Sequence, residues 1–147
     1  MTHKYIGTKI VTAWPANGKQ TPDDPWGPPG YSVKYADGYT SWSPKEAFEA
    51  AYRDIEGPTQ AVTFGDALHM LKLGKKVARA GWNGKGMFVY MVPAASYPAQ
   101  TGVAKEYFGQ DAMVPYQAYL AIKNVNETIS TWVPSINDCL AEDWVVL

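Results

Sequence analysis

From Ala78 to Met87 the chain reads Ala-Arg-Ala-Gly-Trp-Asn-Gly-Lys-Gly-Met. Within one turn this segment offers an aromatic face on Trp82, an amide on Asn83 and cations on Arg79 and Lys85, which is binding chemistry. Gly81, Gly84 and Gly86 let the backbone pass close to a partner or take positive φ, which no residue with a Cβ does cheaply. The flanks, residues 75–80 and 87–92, read as two strands, so the loop is shaped to present Trp82 and Asn83.

Other chemistry is sparse. With only His3, His69 and Cys139, and no His-x-His or Cys-x-x-Cys spacing, no transition-metal site is expected, and the sequence calls for no cofactor. His69 falls off the apolar stripe of its helix and reads as a partly solvated surface residue. Cys139 reads as a buried thiol. No nucleophile elbow, phosphate loop or dinucleotide fingerprint appears. Glu142 and Asp143 form a carboxylate pair suited to acid–base work, but neighbours on a strand point to opposite faces, and a solvated acidic turn before the last strand accounts for them equally well.

At 147 residues, 46% hydrophobic and with a formal net charge of −1, the chain has enough apolar matter for one core or two small ones. No basic excess exists to drive counterion release, so long nucleic acid is not an expected partner. Apolar runs fall short of the ~20 residues a membrane span needs, and the N-terminus leads into no signal-peptide core, so a cytoplasmic setting is expected. Six tryptophans and ten tyrosines serve small cores and ligand-stacking pockets alike.

Periodicity predicts the elements that must hold the loop. Residues 5–13 read as a strand, followed by an irregular surface loop and candidate flap over residues 14–30, with Pro15, Pro22, Pro25, Pro28 and Pro29. A hairpin follows, residues 31–35 and 39–42, turning at Asp37-Gly38. Ser43 is the expected N-cap of a helix with Pro44 in its first turn and an apolar stripe of Phe48, Ala51, Tyr52 and Ile55. Residues 56–60 read as a linker. The next helix has Thr63 as N-cap, Asp66 three residues on, a stripe of Phe64, Ala67, Leu68 and Leu71, and Gly74 as terminator. Residues 93–115 give no clear pattern beyond one helical turn at 102–108. A second hairpin is predicted from residues 117–123 and 129–133, with Tyr119 and Trp132 as inward rings. A brief helix capped by Ser135 and a strand over residues 144–147 close the chain. The expected class is α+β, small antiparallel sheets packed with short helices, in two domains, residues 1–56 and 62–147.

Thr63-Phe64-Gly65-Asp66-Ala67-Leu68, the run Leu71 to Met87, and the closing Trp132-Val133-Pro134-Ser135 with Asp138 and Leu140-Ala141-Glu142-Asp143-Trp144 together resemble the Thoeris anti-defence protein two family of phages. The resemblance spans about residues 62–147. It implies a small homo-oligomer, dimer or tetramer, in the cytoplasm of the infected bacterium, that sequesters a glycocyclic ADP-ribose immune signal without cleaving it; a separate site for cyclic oligonucleotide signals is described for some members. On that reading Trp82 stacks the adenine, Asn83 meets a base edge or ribose, the glycine-turn amides suit the pyrophosphate, Arg79 and Lys85 are phosphate cations, and Met87 is an adaptable wall. Ser135, Asp138 and Asp143 are candidates for the ribose hydroxyls, with Asp138 equally readable as a helix-start acid at a favourable dipole position. The N-terminal unit resembles a module of small phage proteins and is additional to the family domain. Two other readings stay open: an enzyme that hydrolyses such a signal with Glu142 or Asp143 as base, and a structural or regulatory phage protein without a small ligand.

Overall fold

In the computed structural model, which describes residues 1–147, the backbone divides into two units, Met1–Arg53 and Asp54–Leu147. The first is an antiparallel sheet in the order β1-β2-β3, with β1 Thr12–Pro15, β2 Gly30–Lys34 and β3 Thr40–Pro44, followed by helix α1, Lys45–Ala51. The β2–β3 turn forms as predicted: Gly38 takes φ +88°, and the Tyr35 amide donates to the Tyr39 carbonyl at 2.9 Å. Val33 is the buried centre of the sheet face, where Tyr31 stacks on Phe48 at 4.4 Å and Phe48 on Tyr52 at 4.9 Å.

Three expectations for this unit are corrected. The first strand is Thr12–Pro15 rather than residues 5–13, because β2 ends at Lys34 where its turn begins and leaves residues 5–10 no strand to pair with. Helix α1 begins one residue later than expected, with Pro44 as N-cap and no side-chain cap bond: Ser43 is held in β3 opposite Tyr31, and its backbone serves the sheet instead of the helix. The proline-rich stretch is tied down rather than a free flap. Ala16 and Gly18 amides donate to the Gly30 and Pro28 carbonyls, and Trp42 Nε1 donates to the Ala16 carbonyl at 2.8 Å. A Cβ on Gly30 would fall 2.3 Å from the Ser43 carbonyl oxygen, so glycine there is a packing requirement.

The second unit is a five-stranded antiparallel sheet with a small two-stranded sheet beside it in sequence. Its elements are α2 Phe64–Lys72, β4 Val77–Arg79, β5 Phe88–Val92, β6 Ala95–Pro98, α3 Gly102–Phe108, β7 Met113–Tyr116, β8 Tyr119–Lys123, β9 Ile129–Trp132, α4 Ile136–Leu140 and β10 Trp144–Val146. The larger sheet runs β10-β4-β5-β8-β9, and β6 pairs with β7. The Thr63 hydroxyl accepts from the Asp66 amide while the Asp66 carboxylate accepts from the Thr63 amide, and Gly74 takes φ +84° beyond the helix end, so both expected ends of α2 form. Its inner face places Ala67, Met70 and Leu71 against Val62, Val77, Val89, Ile122 and Trp144, the buried core. The stretch that gave no pattern holds β6 and β7, which are too short to register as periodic. Tyr119, expected inward, is 42% exposed; Trp132 does pack on the core. Cys139 is half-buried rather than buried, and Ile55 packs on the second unit's core rather than completing the α1 stripe.

Candidate functional site

β4 and β5 pair through Val77 and Val89, so residues 80–87 form the loop at one end of that pair. Trp82 is half-buried and meets Trp144 at 5.6 Å and Trp132 at 6.3 Å between ring centroids, while Trp132 and Trp144 lie 6.0 Å apart, all edge to face. Each such pair contributes about 0.5–1.5 kcal/mol beyond the area it buries. Trp144 is fully buried, with Nε1 donating to the Asp138 carbonyl at 2.9 Å. Part of the Trp82 ring is thus committed to the core, and Asn83 beside it is exposed.

A chain of charge-assisted hydrogen bonds fixes the near end of the loop. Asp143 accepts from the Gly81 amide at 2.9 Å through Oδ2 and from Arg79 Nε at 2.8 Å through Oδ1. Arg79 reaches on to Asp138 Oδ1 at 3.1 Å, and Asp138 Oδ2 accepts from the Ser135 amide and hydroxyl at 2.9 and 2.8 Å. The bond from Arg79 holds the Asp143 carboxyl below its ordinary range, with the Gly81 amide adding to the effect. Burial works to raise the Asp138 carboxyl, but the Ser135 and Arg79 bonds outweigh it and the net shift is downward. Arg79 is shifted upward by the same two partners, Asp143 first. Two carboxylates around one guanidinium leave the cluster net negative, so Arg79 serves as a brace, while Lys85 on the loop is exposed.

The far end is held by Lys123, whose Nζ donates to the Gly86 carbonyl at 3.3 Å and pairs with Glu127. The residue types of the loop do not point to Lys123; it arrives through the register of β8 with β5, where it faces Phe88. Each glycine has a local cause. A Cβ on Gly81 would lie 2.8 Å from Asp143 Oδ2, one on Gly84 would lie within 2.7 Å of Val125 Cγ2 and closer still to Met87 Sδ, and Gly86 takes φ +74°. Met87 therefore packs under the loop and against the core. Ser135 and Asp138 form the capping box of α4, a role the dipole-position reading of Asp138 anticipated. Glu142 is exposed. The site residues thus fall into two groups: Trp82, Asn83, Lys85 and Met87 on the loop, and Arg79, Asp143, Asp138 and Ser135 in the brace behind it. The depressions of about 390 and 290 Å³ found in the molecule are lined by other residues and do not include the loop.

Residues 62–147, which contain this loop, its brace and the buried cluster around Trp144, match the family model of the Thoeris anti-defense 2-like domain. The chain belongs to that family. A Thoeris anti-defense 2 protein of Bacillus phage SP01 is 38% identical over 87 residues, 58% of this chain and 94% of the relative. The match uses up nearly all of that relative. Membership of the Thoeris anti-defense 2-like family ties the chain to phage anti-defence. No helix is long and apolar enough to cross a membrane.

Proposed function

We propose that this protein is a phage anti-defence sponge that captures a cyclic ADP-ribose-type signalling nucleotide in the infected cell and holds it without cleaving it. The observation that carries the reading is the family match over residues 62–147, which contain the braced glycine loop. In this reading Trp82 offers its free surface to the adenine, a contact of about 1–3 kcal/mol. Asn83 donates and accepts toward a base edge or ribose, and Lys85 with the loop amides receives the pyrophosphate. The brace acts indirectly, since a loop held in its bound shape loses less entropy on binding.

A sponge must outcompete a receptor, and nanomolar affinity corresponds to about 12 kcal/mol. An open loop buries too little of a ligand for that; pockets enclose most of theirs. A second copy closing over the loop supplies the missing wall, which favours a homodimer or tetramer. Helix α4 supports this, because Ile136 and Leu140 are 72% and 76% exposed and Val133 just before it is 85% exposed, next to the Ser135–Asp138 end of the brace. Asp143, already bound to Arg79 and Gly81 with its carboxyl lowered, is poorly suited to act as a general base, which supports capture over hydrolysis.

The test is to incubate excess protein with glycocyclic ADP-ribose, remove free ligand by filtration, denature by heat and identify the released material by mass spectrometry. Intact ligand recovered only after denaturation is the expected result. Asn83→Ala should weaken capture without loss of stability, since Asn83 is exposed and clear of the core. Altered ligand in the filtrate would mean an enzyme, and unaltered ligand passing straight through would mean a different ligand or none.

A further inference from the structure

The N-terminal segment has strand chemistry and no strand partner. Residues 1–10 are exposed along their whole length, with Tyr5 at 90%, Ile6 at 100% and Ile10 at 49%. The segment runs directly into β1, the edge strand of the first sheet, whose outer side is unpaired. It overshoots that sheet because Thr12 is already opposite Lys34, the last residue of β2. The one ring contact within the segment is Lys9 Nζ over Tyr35, 4.3 Å from the ring centroid.

We infer that residues 2–14 form an interface between two copies of this chain, pairing antiparallel about a two-fold axis through Thr8 and joining two three-stranded sheets into one of six strands. A two-fold axis normal to an antiparallel ribbon must pass through a residue opposite itself, which restricts the register to a few choices. With Thr8 at the centre, Ile6 faces Ile10 and Tyr5 faces Val11, twice each, and Thr8 faces Thr8 across the axis. These are the β-branched, aromatic and threonine cross-strand pairs that stabilise sheets. Lys9 falls opposite Gly7 and Lys4 opposite Thr12, so no lysine meets a lysine. Further out, His3 and Thr2 reach Ala13 and Trp14 on the free edge of β1. Pro15, which has no amide to donate, marks the limit of the pairing. An isolated two-stranded ribbon is marginal in water, but this one has a folded three-stranded sheet on each side. Donor and acceptor edges lie on the same chain, so two copies satisfy each other without any other partner.

The pairing is independent of the ligand loop and is read by cross-linking the full chain. In a Cys139→Ser background, Ile6→Cys and Ile10→Cys proteins are prepared separately, then mixed under mild oxidation. Neither substitution disturbs a packed contact, since both side chains are exposed. The expected result is a mixed disulfide between the two variants at least tenfold more abundant than the homodimeric disulfide of either alone. Hydrogen exchange on the unmodified chain should show amides within residues 6–10 slowed at least tenfold relative to coil. Equal cross-linking in the mixture and the separate samples, or exchange at coil rates, would overturn the inference.

Discussion

Asp143 ties down the near end of the loop from outside it, because its two oxygens hold the Gly81 amide and Arg79 together. Asp143→Asn should lower stability by about 1 kcal/mol, less than a buried charged hydrogen bond is worth because the side chain is 35% exposed and solvent screens it. It should also weaken ligand capture more than stability; urea titration and a binding isotherm on the same variant check the pair of effects. The carboxyls of Asp138 and Asp143 are lowered on folding, so their stabilisation is present above the ordinary carboxylate range and is lost as pH falls through their depressed native values. The urea midpoint should therefore hold level from pH 7 to about 5 and decline below about 4, with a shallower decline in Arg79→Met. The residue types Arg79, Asp138 and Asp143 were legible as polar candidates in the sequence. That they bind one another was not, since 64 residues separate Arg79 from Asp143 and only the β10–β4 pairing brings them together.

At the scale of elements, α2 was readable end to end because its signals are local: a hydroxyl at Thr63, an acid three residues on, a stripe at helical spacing and Gly74 beyond. Thr63→Ala should cost about 1 kcal/mol by removing the cap. Gly74→Ala should cost about 1–2 kcal/mol through backbone strain alone, since a Cβ there meets nothing within 4 Å. Thermal or urea unfolding of each variant decides both. Helix α1 shows the limit of such signals. Ser43-Pro44 is a good helix start, yet the ladder between β2 and β3 takes Ser43 into a strand and moves the boundary by one residue. β6 and β7 were missed because four-residue strands that pair only with each other carry too little alternation to stand out.

At the scale of the whole molecule, the Met1–Arg53 unit holds its own buried centre at Val33, and the Asp54–Leu147 unit holds the buried cluster around Trp144 and all of the family match. The family match falls wholly within the second unit, and the SP01 relative is 94% covered by its own match to this chain. A chain restricted to residues 54–147 should therefore fold and capture ligand with affinity within a few-fold of the full chain, measured by the filtration assay and circular dichroism.

By itself the sequence determined the α+β class, the place of the glycine loop between two strands, the caps of α2 and α4, and the family, because capping, turn chemistry and short motifs depend on neighbours a few residues apart. Only the tertiary structure decided that Trp82 shares its ring with Trp132 and Trp144, that Arg79 is neutralised by two acids, and that residues 5–10 lie beyond the end of β2. Those outcomes depend on strand order and on where a partner strand stops, and neither is written in the spacing of nearby residues.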